Sequence, residues 1–178
     1  MRPLKLSVED QNLARDAADS FIQWSVEMNK TDKPHTRAVP WKSDHERKWE
    51  MQMAYASEIA IARLLDLPWN GLNTFKDVAD VGDNVEVRWS RSENLILRTY
   101  DRDQDLAFLV QGPSIDKLFF AGFYPVKMGR TSEFKHPSEN TWFIPRARLY
   151  RYVPENEALK RFWAFWSNHI REINQNQQ

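Results

Sequence analysis

The chain has 178 residues, 25 basic and 25 acidic side chains, a formal net charge of zero and no cysteine. That length suits one domain with a substantial core, since single domains cluster at about 100–150 residues. The lack of cysteine excludes disulfide frameworks, Cys-ligated zinc, iron–sulfur clusters and thiol nucleophiles, so a bound metal would need carboxylate or His ligands.

Near the start, Met1-Arg2-Pro3-Leu4-Lys5 carries no apolar secretory stretch, and no run reaches the roughly 18 apolar residues of a membrane span, so a soluble, non-exported protein is expected. Over residues 8–29, Leu13, Ala17, Phe21, Trp24 and Met28 recur at spacings of three and four, which predicts a helix with one buried face, capped by Ser7. Pro34 and Pro40 then mark a surface loop from Asn29 to Asp44. A second helix is expected from Ser43 to Leu67, with Met53, Ala56, Ala60, Leu64 and Leu67 on one face and Pro68 as its stop. Glu58 lies in its apolar half.

Beyond a turn-like stretch from Trp69 to Phe75, Val85-Glu86-Val87-Arg88-Trp89 alternates apolar and charged residues as a half-buried strand does. Gly82-Asp83-Asn84 before it signals a turn. Leu95–Arg98, Leu106–Val110 and Leu118–Tyr124 are further strands, the last two apolar enough for the middle of a sheet. The reading is one sheet, then an irregular, basic and aromatic stretch from Pro125 to Pro154. A closing helix from Glu155 to Ile173, rich in Trp and Phe, and a polar tail at Asn174–Gln178 follow.

The neutral total hides segregation. Residues 77–105 carry eight acids against four bases, and residues 124–151 carry six bases against two acids, an arrangement that would suit a cation site beside a phosphate track. Within the acidic stretch, period-two alternation puts Glu86 and Arg88 on one strand face, and the turn at Gly82-Asp83 can fold Asp80 back beside Glu86. Carboxylates holding a hard divalent cation, with a positive group to offset charge on phosphate, are what metal-dependent phosphodiester hydrolysis requires. The plainer reading of Glu86 and Arg88 is a solvated strand face, and that of Glu58 an exposed helix carboxylate. Asp101-Arg102-Asp103-Gln104-Asp105 imitates a calcium loop but places Leu106 and Gly112 where the turn Gly and the bidentate Glu belong. The scattered histidines His35, His45, His136 and His169, and the lack of a Gly-rich phosphate loop or a Gly-x-Ser-x-Gly elbow, give no support to Ser–His hydrolysis or nucleotide-triphosphate use.

The order Glu58, Asp80, Glu86, Arg88 resembles the PD-(D/E)xK nuclease superfamily, whose pattern is a helix often carrying a Glu, an Asp at the start of one strand, and an acid-x-Lys on the next. More narrowly, Leu67-Pro68-Trp69-Asn70, Asn73-Thr74-Phe75-Lys76, Asp80-Val81-Gly82 and Glu86-Val87-Arg88 look like uncharacterised tailed-phage proteins assigned to that superfamily. The resemblance covers residues 50–125. It implies an α/β (α+β) restriction-endonuclease-like domain over residues 1–178, with a mixed central sheet flanked by helices. It also implies a phage-encoded deoxyribonuclease of the bacterial cytoplasm, with Asp80, Glu86 and Arg88 catalytic and Glu58, Asp80 and Glu86 holding Mg²⁺ or Mn²⁺. Arg91, Arg98, Lys127, Arg130, Arg146 and Arg148 are the candidate DNA-backbone contacts. Arg88 departs from the usual Lys; a guanidinium stays protonated and cannot act as a general base, so its part in catalysis would be electrostatic. The alternatives are a catalytically silent member of the fold binding DNA or a phage or host protein, such as a defence enzyme, and an assembly protein that keeps only the scaffold.

Overall fold

The computed structural model describes residues 1–31, 43–71 and 78–151. The expected closing helix and polar tail therefore lie outside the described residues, as do most of the loop between the first two helices and part of the stretch after Asn70.

Two long helices, α1 (Val8–Thr31) and α2 (Asp44–Leu65), follow a short strand β1 (Arg2–Leu4). Both helices start on a serine that uses its side chain to satisfy orphan backbone N–H groups. Ser7 Oγ accepts the Asp10 N–H at 3.0 Å, and Ser43 forms a full capping box with Glu46. The helices run antiparallel, tied at one end by Arg63 to Asp10 (2.7 Å) and toward the other by Arg47 to Ser25 Oγ (3.0 Å). At its C-terminus α2 ends in a left-handed Asp66 (φ 52°), two residues before Pro68.

The remaining elements are β2 (Val85–Trp89), β3 (Asn94–Arg98), β4 (Leu106–Gln111), β5 (Leu118–Pro125), a single turn α3 (Val126–Gly129), β6 (Thr141–Pro145) and a 3₁₀ turn at Arg146–Arg148. Four strands form a mixed sheet in the order β1-β5-β4-β2, antiparallel except for the parallel pair β4–β2. Its two faces are apolar for different reasons. Val85, Val87, Phe108, Val110 and Phe120 join α1 and α2 in one buried cluster, while Ala107, Leu109 and Ala121 join Leu95, Leu97, Val126 and Ile144 in a second. Helices thus cover one face, and the antiparallel pair β3–β6 covers the other.

Three expectations change. Leu95–Arg98 is a strand but leaves the central sheet to pair with β6, because Leu95 and Leu97 have an apolar sheet face to cover. The stretch from Pro125 to Pro154 is not irregular throughout: it holds α3, β6 and the 3₁₀ turn. The buried face of α1 is rotated from the large-residue stripe. Ala14, Ala17 and Ala18 are buried, while Leu13 (39%) and Trp24 (41%) are exposed, since small residues let α1 lie close against α2.

That rotation has a direct test in urea denaturation. Leu13→Gln should change stability by less than about 0.5 kcal/mol, as for an ordinary surface position. Ala18→Gln should cost about 2–4 kcal/mol, from overpacking and from burying an amide. Equal costs for the two variants would return the buried face to the Leu13 stripe.

Candidate functional site

The site is built at the β2 edge of the sheet from three pieces of chain. The Pro68–Asn70 segment, turned back by Asp66, grips the loop before β2. Gly82 N–H donates to the Pro68 carbonyl at 2.8 Å, the Asn70 N–H to the Asp80 carbonyl at 3.1 Å, and the Asn70 side-chain amide to the carbonyls of Ala79 and Gly82, both at 2.7 Å. Val81 and Val85 exchange backbone hydrogen bonds across a tight turn in which Gly82 takes φ 54°, a conformation few other residues adopt readily. Asp80 is thereby fixed next to β2, where its carboxylate accepts the Val87 N–H at 2.8 Å.

On β2, Glu86 and Arg88 share one face, as the alternation requires, and meet at 2.5 Å. The Arg88 guanidinium also reaches Asp101 at 2.6 Å and lies 3.9 Å from Asp80. From α2, Glu58 points into the same region, buried to 9% exposure and accepting the Trp69 indole N–H at 2.9 Å. Helix, turn and strand therefore bring together all four residues singled out in the sequence.

Two further residues complete the constellation. Asp101, whose side chain is fully buried, takes Arg88 on one oxygen and the Arg98 backbone N–H on the other (2.8 Å). The sequence marked Asp101 only as part of a failed calcium loop; its position three residues beyond a strand end, able to cap that end, was the available signal. Trp69 was read as part of a turn and of the Leu67-Pro68-Trp69-Asn70 resemblance, without a role at the site. Of the candidate backbone contacts, Arg130 is used internally: it bonds the carbonyls of Arg98 (2.5 Å) and Asp101 and pairs with Asp103 (2.8 Å). Arg148 pairs with Glu133, and Arg146 with Glu93 at 2.7 Å. Arg98 is exposed at the end of β3, Lys127 is half-buried on α3, and Arg91 is exposed beyond β2.

Electrostatically the cluster is short of positive charge. Burial pushes the Glu58 carboxyl well above the ordinary range; Asp80 and Glu86 push it further, against the opposing Trp69 hydrogen bond and Arg88. Asp80 is raised by burial in spite of Arg88 and the Val87 N–H. Glu86 is pushed up to about 7 by burial, with Arg88 opposing and Asp80 and Asp101 adding. Burial works against the charge on Arg88, but Glu86, Asp101 and Asp80 outweigh it and hold the guanidinium firmly protonated. One guanidinium thus leaves Glu58, Asp80 and Glu86 under-compensated.

The donor set, three carboxyls from three elements in a region of negative potential, fits a hard divalent cation in chemistry and in charge. Among the described residues, no three His, Cys, Asp or Glu side chains stand ready as a metal-ligating group, and Glu86 is paired with Arg88. Glu86 would have to turn from Arg88 to join Glu58 and Asp80 on a shared ion.

A carboxyl whose pKa is higher in the folded than in the unfolded chain favours folding at low pH, and that contribution fades as pH rises from about 4.5 through the folded value. Metal-free protein should therefore lose stability between about pH 5 and pH 7, the window that the Glu86 value sets. Glu58→Gln keeps an acceptor for Trp69 and removes a buried charge. It should raise the metal-free melting temperature at pH 8 by roughly 2–8 °C and flatten the pH dependence. A lower melting temperature at pH 8 would mean that Glu58 is stabilised as an anion.

The chain matches no family model, no curated protein and no solved structure, so the functional argument rests on the geometry and chemistry of these residues.

Proposed function

We propose that the chain is a metal-dependent nuclease of the PD-(D/E)xK type that hydrolyses DNA phosphodiesters. The observation that carries this reading is the convergence of Glu58, Asp80, Glu86 and Arg88 from a helix, a turn and a strand. That resembles the superfamily pattern of a helix Glu, an Asp at the start of one strand and an acid-x-Lys on the next, with Asp80 here in the turn before β2 and Arg88 in place of the Lys. Clustered buried acids with strongly raised pKa values are costly to a fold and mark functional sites more often than structural ones.

In this reading Glu58, Asp80 and Glu86 hold Mg²⁺ or Mn²⁺, which when bound supplies Lewis acidity and an activated water. The chain's own residues do the positioning. The Pro68–Asn70 clamp sets Asp80, and Trp69 sets the Glu58 carboxylate. Asp101 and the backbone of β2 aim Arg88, whose Nε is buried with no hydrogen-bond partner. The Nη1 atom, once Glu86 turns away, is suited to a phosphate oxygen as charge develops on it. Arg88 neutralises charge and moves no proton. A phage-encoded protein working on DNA in the bacterial cytoplasm fits the same reading.

A specific observation favours a second reading. Arg88 already sits in close ion pairs with Glu86 and Asp101, so it could serve as the site's resident cation in a catalytically silent DNA- or protein-binding module.

Incubation with linear, single-stranded and branched DNAs in Mg²⁺, Mn²⁺ and EDTA separates the two. Cleavage in at least one metal, absent in EDTA and lost in Asp80→Asn and Glu86→Gln, is the expected result. Every DNA left intact by the wild-type protein would overturn the nuclease reading and leave the silent module. In single-turnover cleavage, Arg88→Ala should lower the rate by roughly 10²-fold, and Arg88→Lys should retain most of it. An Arg88→Ala rate equal to wild type would remove Arg88 from the chemistry.

A further inference from the structure

A second site lies at the other end of β2. The parallel strands β2 and β4 finish side by side, and beyond their carboxyl ends Ser90, Arg91, Gln111 and Gly112 border an open groove of about 540 Å³. Crevices outside the carboxyl ends of parallel strands are where α/β sheets commonly take ligands, and this volume suits one of modest size.

The groove has one aromatic wall and one cationic wall. Trp49 of α2 packs edge-on against Trp89 at 5.0 Å, and the Arg91 guanidinium lies over the Trp49 ring at 4.5 Å. Arg91 is exposed and has no carboxylate partner among the described residues. The same guanidinium lies 5.9 Å from the Trp89 ring, so two tryptophans flank an exposed planar cation. Arg146 also lines the groove and bonds Glu93 at 2.7 Å and the Gln111 side-chain oxygen at 3.3 Å. Glu93 is 71% exposed, so that pair is weak and readily exchanged for another anion.

The geometry points to a nucleotide-binding groove in which a base of a single-stranded nucleic acid stacks on the Arg91 guanidinium and the adjacent phosphate takes Arg146 from Glu93. A stacked planar cation accepts any base, and arginine's fork suits phosphate, so the groove favours unpaired strands without reading their sequence. Arg91 follows Arg88 by three residues, in the bend just past the end of β2. Deepening the nuclease reading, the groove holds an unpaired stretch that flanks the acid cluster. It narrows the substrate to DNA with a single-stranded segment.

The test is binding in EDTA, so that cleavage plays no part. A fluorescently labelled ten-residue oligo-dT, the matching duplex and dTMP are titrated with wild-type protein, Arg91→Ala and Arg146→Ala. The expected result is tighter binding of oligo-dT than of duplex or dTMP, weakened roughly fivefold to a hundredfold by Arg91→Ala with an unchanged melting temperature. Arg146→Ala should reduce the salt dependence of binding. Oligo-dT affinity equal in wild type and Arg91→Ala, or no oligo-dT binding at all, overturns the groove. Binding of dTMP alone overturns a strand as its occupant. The two proposals fail separately: cleavage that persists with Arg91-independent binding removes only the groove, and Arg91-dependent binding without cleavage in any metal removes only the nuclease.

Discussion

The guanidinium of Arg88 is the interaction around which the described structure is organised. It is four-fifths buried on an edge strand and meets carboxylates from β2, from the turn before it and from the loop after β3. Removing it would leave several acids facing one another in a region of poor solvation, a situation that costs far more than a surface pair returns. Asp101 answers to the same constraint. Its second oxygen caps the end of β3, so the charge that holds Arg88 also fixes where the β3–β6 layer begins. Arg130 then fastens that loop from outside through the carbonyls of Arg98 and Asp101.

A strand at the sheet edge can carry this load because its faces are unequal. Val85 and Val87 anchor β2 in the helix-side core, and parallel pairing with β4 from Val85 to Trp89 leaves it no freedom of register. A one-residue slip would send Glu86 and Arg88 into the apolar cluster and the valines to the acid side, so core and site enforce each other. On α2 the neighbours of Glu58 are Ala56, Ile59, Ala60, Ile61 and Ala62, all buried. Among the described residues the direct donor to the Glu58 carboxylate is Trp69, and burial raises the carboxylate's proton affinity against that one hydrogen bond.

How much of this was legible follows from the length of the patterns involved. β2 and its turn were readable residue by residue, because Val-Glu-Val-Arg-Trp alternates cleanly and Gly82 announces the chain reversal. Ser7 was readable as a cap because acids follow it, whereas Ser43 was read only as the start of its helix. The three residues of β1, with Pro3 among them, are too short to show a period; Pro3 is tolerated because β1 is an edge strand. β6 reads Thr-Trp-Phe-Ile-Pro, without alternation, inside a basic stretch, and it is a strand only because β3 offers it an antiparallel partner. The face of α1 was misjudged by weighting large side chains, whereas close helix packing selects alanines. Glu58, Asp80, Glu86 and Arg88 were found because they sit on local patterns. Asp101 and Trp69 were missed because their roles depend on contacts 13 and 11 residues distant in sequence.

The two ends of β2 carry opposite electrostatic duties, and a single strand imposes the separation. An acid cluster left under-compensated repels a polyanion, so if it is the proposed nuclease centre it would gain little affinity from its own residues without a cation. Attraction has to come from elsewhere, at a distance set by the scaffold. Arg91 and Arg146 lie past the end of the same strand, and their positive charge is held by an aromatic ring and by an exchangeable surface glutamate, with no buried acid as partner. Binding and chemistry can then be tuned independently. On the proposed reading, changes at the groove would alter residence on DNA and changes at the acid cluster would alter turnover, with β2 setting the distance between them.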